Sequence, residues 1–136
     1  MNYRKSMMPN KNGELVIGGV KVSELREKYG TPLYVMDVEF IKSVCCAFKD
    51  TIAKYYGGFG GVAFASKAFS CKAIYAIMKS LDMNIDVVSA GEIYTALSSG
   101  FDISKAYFHG NNKLVSELEY AVNNNIGVVV IDNIEE

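Results

Sequence analysis

From about residue 60 onwards, two kinds of apolar pattern alternate along this chain. Short, nearly continuous apolar runs predict strands that are buried on both faces, as in a parallel sheet. Between these runs, apolar residues recur at spacings of three and four, which is typical of one face of a helix. The predicted strands cover residues 62–67, 85–89, 106–110 and 127–132. The pattern therefore predicts a repeated βα unit.

The four predicted strands end at regular intervals. Their last residues, taken as Lys67, Ser89, His109 and Ile131, are separated by 22, 20 and 22 positions. Short connections of this kind fit a doubly wound sheet or a (β/α)8 barrel. No G-x-G-x-x-G motif follows a strand. The "GGFGG" at 57–61 precedes one, so we interpret it as a linker rather than a phosphate-binding loop.

The first 56 residues show a different organisation. "GELVIGGVKVSEL" predicts two short strands that turn at Gly18-Gly19, followed by a helix that Ser23 caps and that ends near Gly30. "PLYVMD" predicts another brief strand, and 38–56 predict a long helix that "GGFGG" stops. We assign residues 1–37 to a β-rich segment and 38–136 to the α/β region.

The chain stops soon after the fourth predicted strand. Asn133 in "DNIEE" is a suitable N-cap, so a further helix is predicted to begin there. Four strands are half of an eight-stranded barrel, and an open half leaves unpaired strand edges. We therefore expect the chain to be a fragment that associates through those edges when isolated.

Composition narrows the class of protein. Half of the residues are apolar, a fifth are charged and the net charge is −1, which argues against disorder and against a nucleic-acid or membrane surface. No apolar run approaches the roughly 20 residues of a membrane-spanning helix, and no apolar signal segment follows the N-terminus. Cys45, Cys46 and Cys71 lack metal-ligand spacing, so we expect small buried thiols, no metal site and a cytoplasmic location.

The most promising chemical group is Lys67. Ligands meet a parallel α/β sheet at the carboxyl ends of its strands, where Lys67 is predicted. Partial desolvation there would lower the pKa of the amine and favour Schiff-base formation. The alternative is a lysine whose ammonium group reaches solvent from the strand end, and composition alone favours that alternative.

Three other polar residues accompany the predicted strand ends. Asp86 lies within an apolar strand, on the face opposite Ile85, and could be a counter-charge for Lys67 or part of a structural ion pair. Glu92 is expected to complement the dipole of its helix. His109, in "FHGNNK", is distinguished from an ordinary surface histidine only by its position at a strand end.

Together these segments resemble a known family. "AFASKAFS" resembles the Y-A-x-K-A-N-type motif of fold-type III pyridoxal-phosphate enzymes, although Phe69-Ser70 stand where many relatives have Asn-x. "DVVSAGEIYTALSSGF" and "FHGNNK" resemble the corresponding segments of diaminopimelate decarboxylases. The resemblance covers about residues 15–136.

The resemblance implies a fold and a cofactor. The fold would be an α/β architecture, the N-terminal half of a (β/α)8 TIM-like barrel, preceded by short strands of a β-rich second domain. Lys67 would bear pyridoxal 5'-phosphate as a Schiff base and would be the catalytic lysine. Asp86 and His109 would line the cofactor pocket.

The resemblance also implies an activity. It would be decarboxylation of meso-diaminopimelate to L-lysine, in lysine biosynthesis, by a homodimer. The glycine-rich phosphate loop, the substrate-reading groups and the partner subunit's cysteine would lie later in the chain, so this fragment alone should be inactive. A truncated, non-catalytic pyridoxal-phosphate-binding fragment and a related ornithine- or arginine-type decarboxylase remain as alternatives.

Overall fold

The structure of the chain, a computed structural model, describes residues 6–134. The chain divides into two compact units, Met1–Val44 and Cys45–Glu136. The predicted division at residue 37 remains a prediction. In the part of the chain that the structure describes, no helix combines the length and the apolar character needed to cross a membrane.

The first unit contains a three-stranded antiparallel sheet and a short helix. The strands are β1 (Met7–Pro9), β2 (Leu15–Ile17) and β3 (Val20–Lys21), in the order β1-β2-β3. The predicted turn between β2 and β3 is confirmed, because Gly18 and Gly19 both have positive φ angles, of 55° and 85°. Strand β1 was not predicted; it lies at the sheet edge, where its terminal proline is tolerated.

Two details of the predicted first unit are wrong. Helix α1 (Val22–Tyr29) begins after Lys21, so Ser23 lies inside the helix and does not cap it. No strand forms over 31–37. Pro32 has no N–H to donate to a strand partner, and the carboxylate of Asp37 accepts a hydrogen bond from the Phe40 N–H at 3.1 Å, at the start of the next helix.

The predicted long helix is confirmed as α2 (Val38–Tyr55). It ends at the glycine-rich segment, where Gly57 and Gly58 have positive φ angles of 61° and 81°. A residue with a Cβ atom would be strained in that conformation, so the glycines explain why the helix stops there.

The second unit is built on a four-stranded parallel sheet. Its strands are β4 (Ala63–Ala65), β5 (Asn84–Val87), β6 (Ala106–Phe108) and β7 (Val128–Val129), in the order β4-β5-β6-β7. The connections contain α3 (Lys72–Ser80), α4 (Ala90–Ser98) and α5 (Val115–Asn123). Each strand therefore pairs with its neighbour in sequence, with no reversal of strand order, as in a (β/α)8 barrel.

The two faces of this sheet differ in burial. Ile85, Val87, Ala106 and Phe108 point to one face and are fully buried. Core residues of the three helices pack on that face: Ile74, Tyr75, Met78, Ile93, Ala96 and Ala121. The row formed in register by Ala65, Asp86, Tyr107 and Val128 points to the other face and stays partly or fully exposed. Helices on one face only distinguish a barrel wall from a doubly wound sheet, and the predicted fold class is confirmed.

All four strands end before the predicted positions. They stop at Ala65, Val87, Phe108 and Val129. Ser89, for example, is the N-cap of α4, where its Oγ accepts a hydrogen bond from the Glu92 N–H at 3.3 Å. Side-chain capping of this kind competes with strand pairing. The helix predicted from Asn133 would extend beyond the described residues.

We expect the buried face of the sheet to dominate the stability of the second unit. Ile85→Ala should lower the free energy of unfolding of this chain by about 2–5 kcal/mol, because it leaves a cavity in the core. Ile131→Ala is the matched control, since Ile131 is 69% exposed and should change stability by less than about 0.5 kcal/mol. Urea denaturation followed by circular dichroism checks both values. Equal losses in the two variants would contradict the assignment of the core.

Candidate functional site

Lys67 lies in a short 3-10 turn, Ser66–Ala68, that directly follows β4. It is exposed, in agreement with the alternative that composition favoured, in which the ammonium group reaches solvent. The physical reason is that β4 is the edge strand of the sheet and has a neighbour only on the β5 side. Ser66 is fully buried in the same turn, and its Oγ has no hydrogen-bond partner among the described residues.

The segment after Lys67 is attached to the core by a tyrosine. Tyr75, in α3, is fully buried, and its hydroxyl lies 3.0 Å from the Oγ of Ser70. The Phe69 N–H also donates to the Ser66 carbonyl at 3.0 Å, which closes the turn. Nothing in the helical spacing of Tyr75 distinguished it from an ordinary core residue, so this contact was not predicted.

Asp86 and His109 come together at the carboxyl ends of neighbouring strands. His109 Nδ1 lies 4.0 Å from Asp86 Oδ2, and the His109 N–H donates to the Val87 carbonyl at 2.9 Å. Asp86 points away from the buried face, as its position in the strand predicted. Its Oδ1 atom is buried and has no hydrogen-bond partner among residues 6–134.

A second carboxylate lies on the other side of the histidine ring. Asp132 Oδ1 is 3.7 Å from His109 Nε2. The ring is half exposed. It lies between Asp86, which comes from β5, and Asp132, which follows β7. The sequence did offer a signal for Asp132, because it directly follows the apolar run of the fourth strand, but that strand was taken to end at Ile131.

The structure does not pair Lys67 with Asp86. In the described part of the chain Lys67 makes no ion pair, and Asp86 is near His109 instead. The strand register places Ala65, not Lys67, beside Asp86. The pairing of Asp86 with Lys67 is absent from the described residues, and the role of Asp86 as a counter-charge remains a prediction.

Two glutamates hold the turn that follows β5. The Val88 N–H donates to Glu92 Oε2 at 2.7 Å, and the Ala90 N–H donates to Glu117 Oε1 at 3.0 Å. Glu92 thus does more than complement a helix dipole. Glu117 comes from α5 and was not singled out in the sequence, because its role depends on a contact 27 positions away.

The opposite, amino-terminal ends of the strands show a different arrangement. A cavity of about 350 Å³ there is lined in part by Lys49, Asp82 and Lys105. Lys105 pairs with Asp82, and this hydrogen bond lowers the pKa of Asp82 and raises that of Lys105. Lys49 donates to the Leu81 carbonyl at 2.6 Å. Both lysines are therefore engaged in structural contacts.

The cysteines agree only in part with expectation. All three are free, and Cys45 is buried, which raises the pKa of its thiol. Cys46 is exposed, contrary to the expectation of buried thiols, because adjacent residues of a helix point to different faces. Within residues 6–134 no group of histidine, cysteine and acidic side chains could hold a metal ion.

Comparison with known proteins identifies the class. Residues 40–136 match the family model described as "Pyridoxal-dependent decarboxylase, pyridoxal binding domain". The chain belongs to this family of pyridoxal-dependent decarboxylases.

Within that family, its relatives include diaminopimelate decarboxylases. The chain is 46% identical to that of Bacillus methanolicus over 136 residues, which is 100% of this chain and 31% of the relative. It is 46% identical to that of Bacillus subtilis over 127 residues, covering 93% of this chain and 29% of the relative. The structure of diaminopimelate decarboxylase from M. jannaschii in co-complex with L-lysine superimposes with a TM-score of 0.86 at 32% identity, covering 99% of this chain and 32% of that one.

These comparisons confirm the resemblance seen in the sequence, the half-barrel fold and pyridoxal phosphate as the cofactor of the family. The chain spans about a third of the length of the relatives that it matches.

The contact between Tyr75 and Ser70 can be tested by removing one atom. Tyr75→Phe removes the hydroxyl that contacts the exposed Ser70, so the free energy of unfolding should fall by about 0.5–1.5 kcal/mol, the usual net contribution of one hydrogen bond. Tyr94→Phe is the control, because Tyr94 is an exposed tyrosine of the same unit. Thermal or urea unfolding measures both; identical stabilities would show that the hydroxyl contact contributes nothing.

Proposed function

We propose that this chain supplies part of the active site of a diaminopimelate decarboxylase, which converts meso-diaminopimelate to L-lysine and carbon dioxide. The observation that carries the proposal is the placement of Lys67, Asp86 and His109 at the carboxyl ends of three successive strands. This placement occurs in a chain that matches diaminopimelate decarboxylases along its whole length.

The residues of this end of the sheet fit pyridoxal phosphate. Lys67 is exposed and makes no ion pair among the described residues, so its amine is accessible to an aldehyde. Asp86 Oδ1 and Ser66 Oγ are buried polar atoms with no hydrogen-bond partner in the described chain. Such atoms are costly to leave unpaired, and a polar ligand or a rearranged Lys67 would satisfy them.

Each residue then has a distinct role. Lys67 would hold the cofactor covalently through Nζ, and Asp86 would provide a fixed carboxylate beside it. His109 would present its imidazole ring to the site, with Asp86 and Asp132 on either side. The cofactor itself supplies the electron sink that accepts negative charge when carbon dioxide leaves.

The complete site needs more than these residues. We propose that the phosphate-binding and substrate-reading groups come from the part of the family's length that this chain does not span. We also propose that the active form is a homodimer in the cytoplasm, with a small amino acid as substrate and no nucleic-acid or membrane partner. Residues 1–37 would then contribute to the β-rich domain.

Borohydride reduction tests the assignment of Lys67. It should be applied to the complete protein, which is this chain together with any further sequence of the natural polypeptide. The reduced cofactor should be found on Lys67 by peptide mass spectrometry. Lys67→Ala should abolish the absorbance of the bound cofactor, whereas Lys72→Ala should retain it. A label on Lys72 or Lys79 would overturn the assignment.

A comparison of two chain lengths tests the activity. The isolated 136 residues should produce no measurable lysine from meso-diaminopimelate and should associate in solution, because the edge strands of the sheet are unpaired. A chimera in which these residues replace the matching segment of the Bacillus methanolicus enzyme should restore lysine production. Preference of the complete protein for ornithine or arginine would favour the related decarboxylase class, and turnover by the isolated chain would contradict the requirement for the remaining groups.

A further inference from the structure

Glu117 accepts hydrogen bonds from the backbones of two separate loops. Its Oε1 atom accepts from the Ala90 N–H at 3.0 Å, and its Oε2 atom accepts from the Leu114 N–H at 3.2 Å. Ala90 is the first residue of α4, in the loop after β5, and Leu114 is the N-cap of α5, in the loop after β6. One carboxylate therefore joins the two loops.

The position of Glu117 makes these hydrogen bonds favourable. Glu117 lies in the first turn of α5, where the helix dipole stabilises negative charge, and it is half-buried. Hydrogen bonds to a charged acceptor are stronger than those between neutral groups. The contact with Ala90 is also the longer-range one, so it constrains tertiary structure and not only the start of α5.

Both loops adjoin proposed site residues. Asp86 lies within β5, whose last residue is Val87, and His109 follows β6 directly and begins the loop that leads to Leu114. The side chains of Asp86 and His109 lie 4.0 Å apart. Asp86 is held in its strand, so a small displacement of His109 at the start of the loop after β6 would separate them.

We propose that Glu117 is a positioning residue for the cofactor site. By joining the loops after β5 and β6, it fixes Asp86 and His109 relative to each other and to the cofactor on Lys67. This inference rests on the proposed function, because the site that Glu117 positions is the pyridoxal-phosphate site. The competing explanation is that Glu117 only stabilises the start of α5.

Glu117→Ala in the complete protein loaded with pyridoxal 5'-phosphate distinguishes these explanations. We expect kcat/KM for meso-diaminopimelate to fall roughly ten- to a hundred-fold, mainly through kcat, because misplacement of catalytic groups has effects of that size. The visible circular dichroism of the bound cofactor should change as well. Glu117→Gln, which keeps one acceptor oxygen, should have a smaller effect. Glu119→Ala is the control, since Glu119 is an exposed glutamate of the same helix.

A second variant removes the long-range hydrogen bond from the other side. Ala90→Pro deletes the N–H that Glu117 Oε1 accepts from, and proline is well tolerated at the first position of a helix. The preceding Ser89 has an extended backbone, φ −155° and ψ 159°, which is what a residue before proline requires. Ala90→Pro should reproduce the loss of kcat and should add little further loss when combined with Glu117→Ala.

The outcomes are distinct. If Glu117→Ala lowers only the unfolding midpoint and leaves kcat/KM and the cofactor spectrum equal to those of Glu119→Ala, Glu117 has a structural role and the inference is wrong. The same conclusion follows if Ala90→Pro retains full activity. If the unsubstituted complete protein shows neither cofactor absorbance nor decarboxylation, the proposed function fails instead.

Measurements are made at a temperature where far-ultraviolet circular dichroism shows every compared variant to be folded. If Glu117→Ala does not fold, Ala90→Pro and Glu117→Gln decide the question.

Discussion

The packing of helices on a single face of the parallel sheet determines which residues of the second unit are buried and which face the proposed site. Ile85, Val87, Ala106 and Phe108 fill the buried face, and alternation along each strand sends the residues between them to the opposite face. Asp86 is therefore directed away from the apolar core by the same alternation that buries its two neighbours. A shift of one residue in the register of β5 would bury Asp86 among apolar side chains and remove it from the proposed site.

Much of the fold could be predicted because its signals are local. Continuous apolar runs predicted the four parallel strands, and helical spacing predicted α2. The pair Gly18-Gly19 predicted the turn between β2 and β3, where both residues have positive φ. The errors have local causes as well. Ser89 looked like the end of a strand but caps a helix, and residues 32–37 looked like a strand but contain a proline and a residue that caps α2.

The site was predictable only in part. The strand-end positions of Lys67, Asp86 and His109 could be predicted, because each stands at or near the end of an apolar strand, and their roles in a cofactor site remain predictions. The contacts of Tyr75 with Ser70 and of Glu117 with Ala90 could not, because they depend on the distance between helices and loops. The exposure of Lys67 agrees with the alternative that composition favoured, and the position of β4 at the sheet edge accounts for it.

The edge position of β4 has a consequence for the order of assembly. In a closed barrel the first strand pairs with the eighth, and in this family's barrel the first strand would be β4, which Lys67 follows. During synthesis the lysine would emerge early, yet the strand that borders it on the open side would be translated last. The surroundings of the amine would then be completed only at ring closure, after most of the barrel had left the ribosome. If Lys67 holds the cofactor as proposed, cofactor capture would be a late event in folding, although the residue proposed to perform it is among the first to be made.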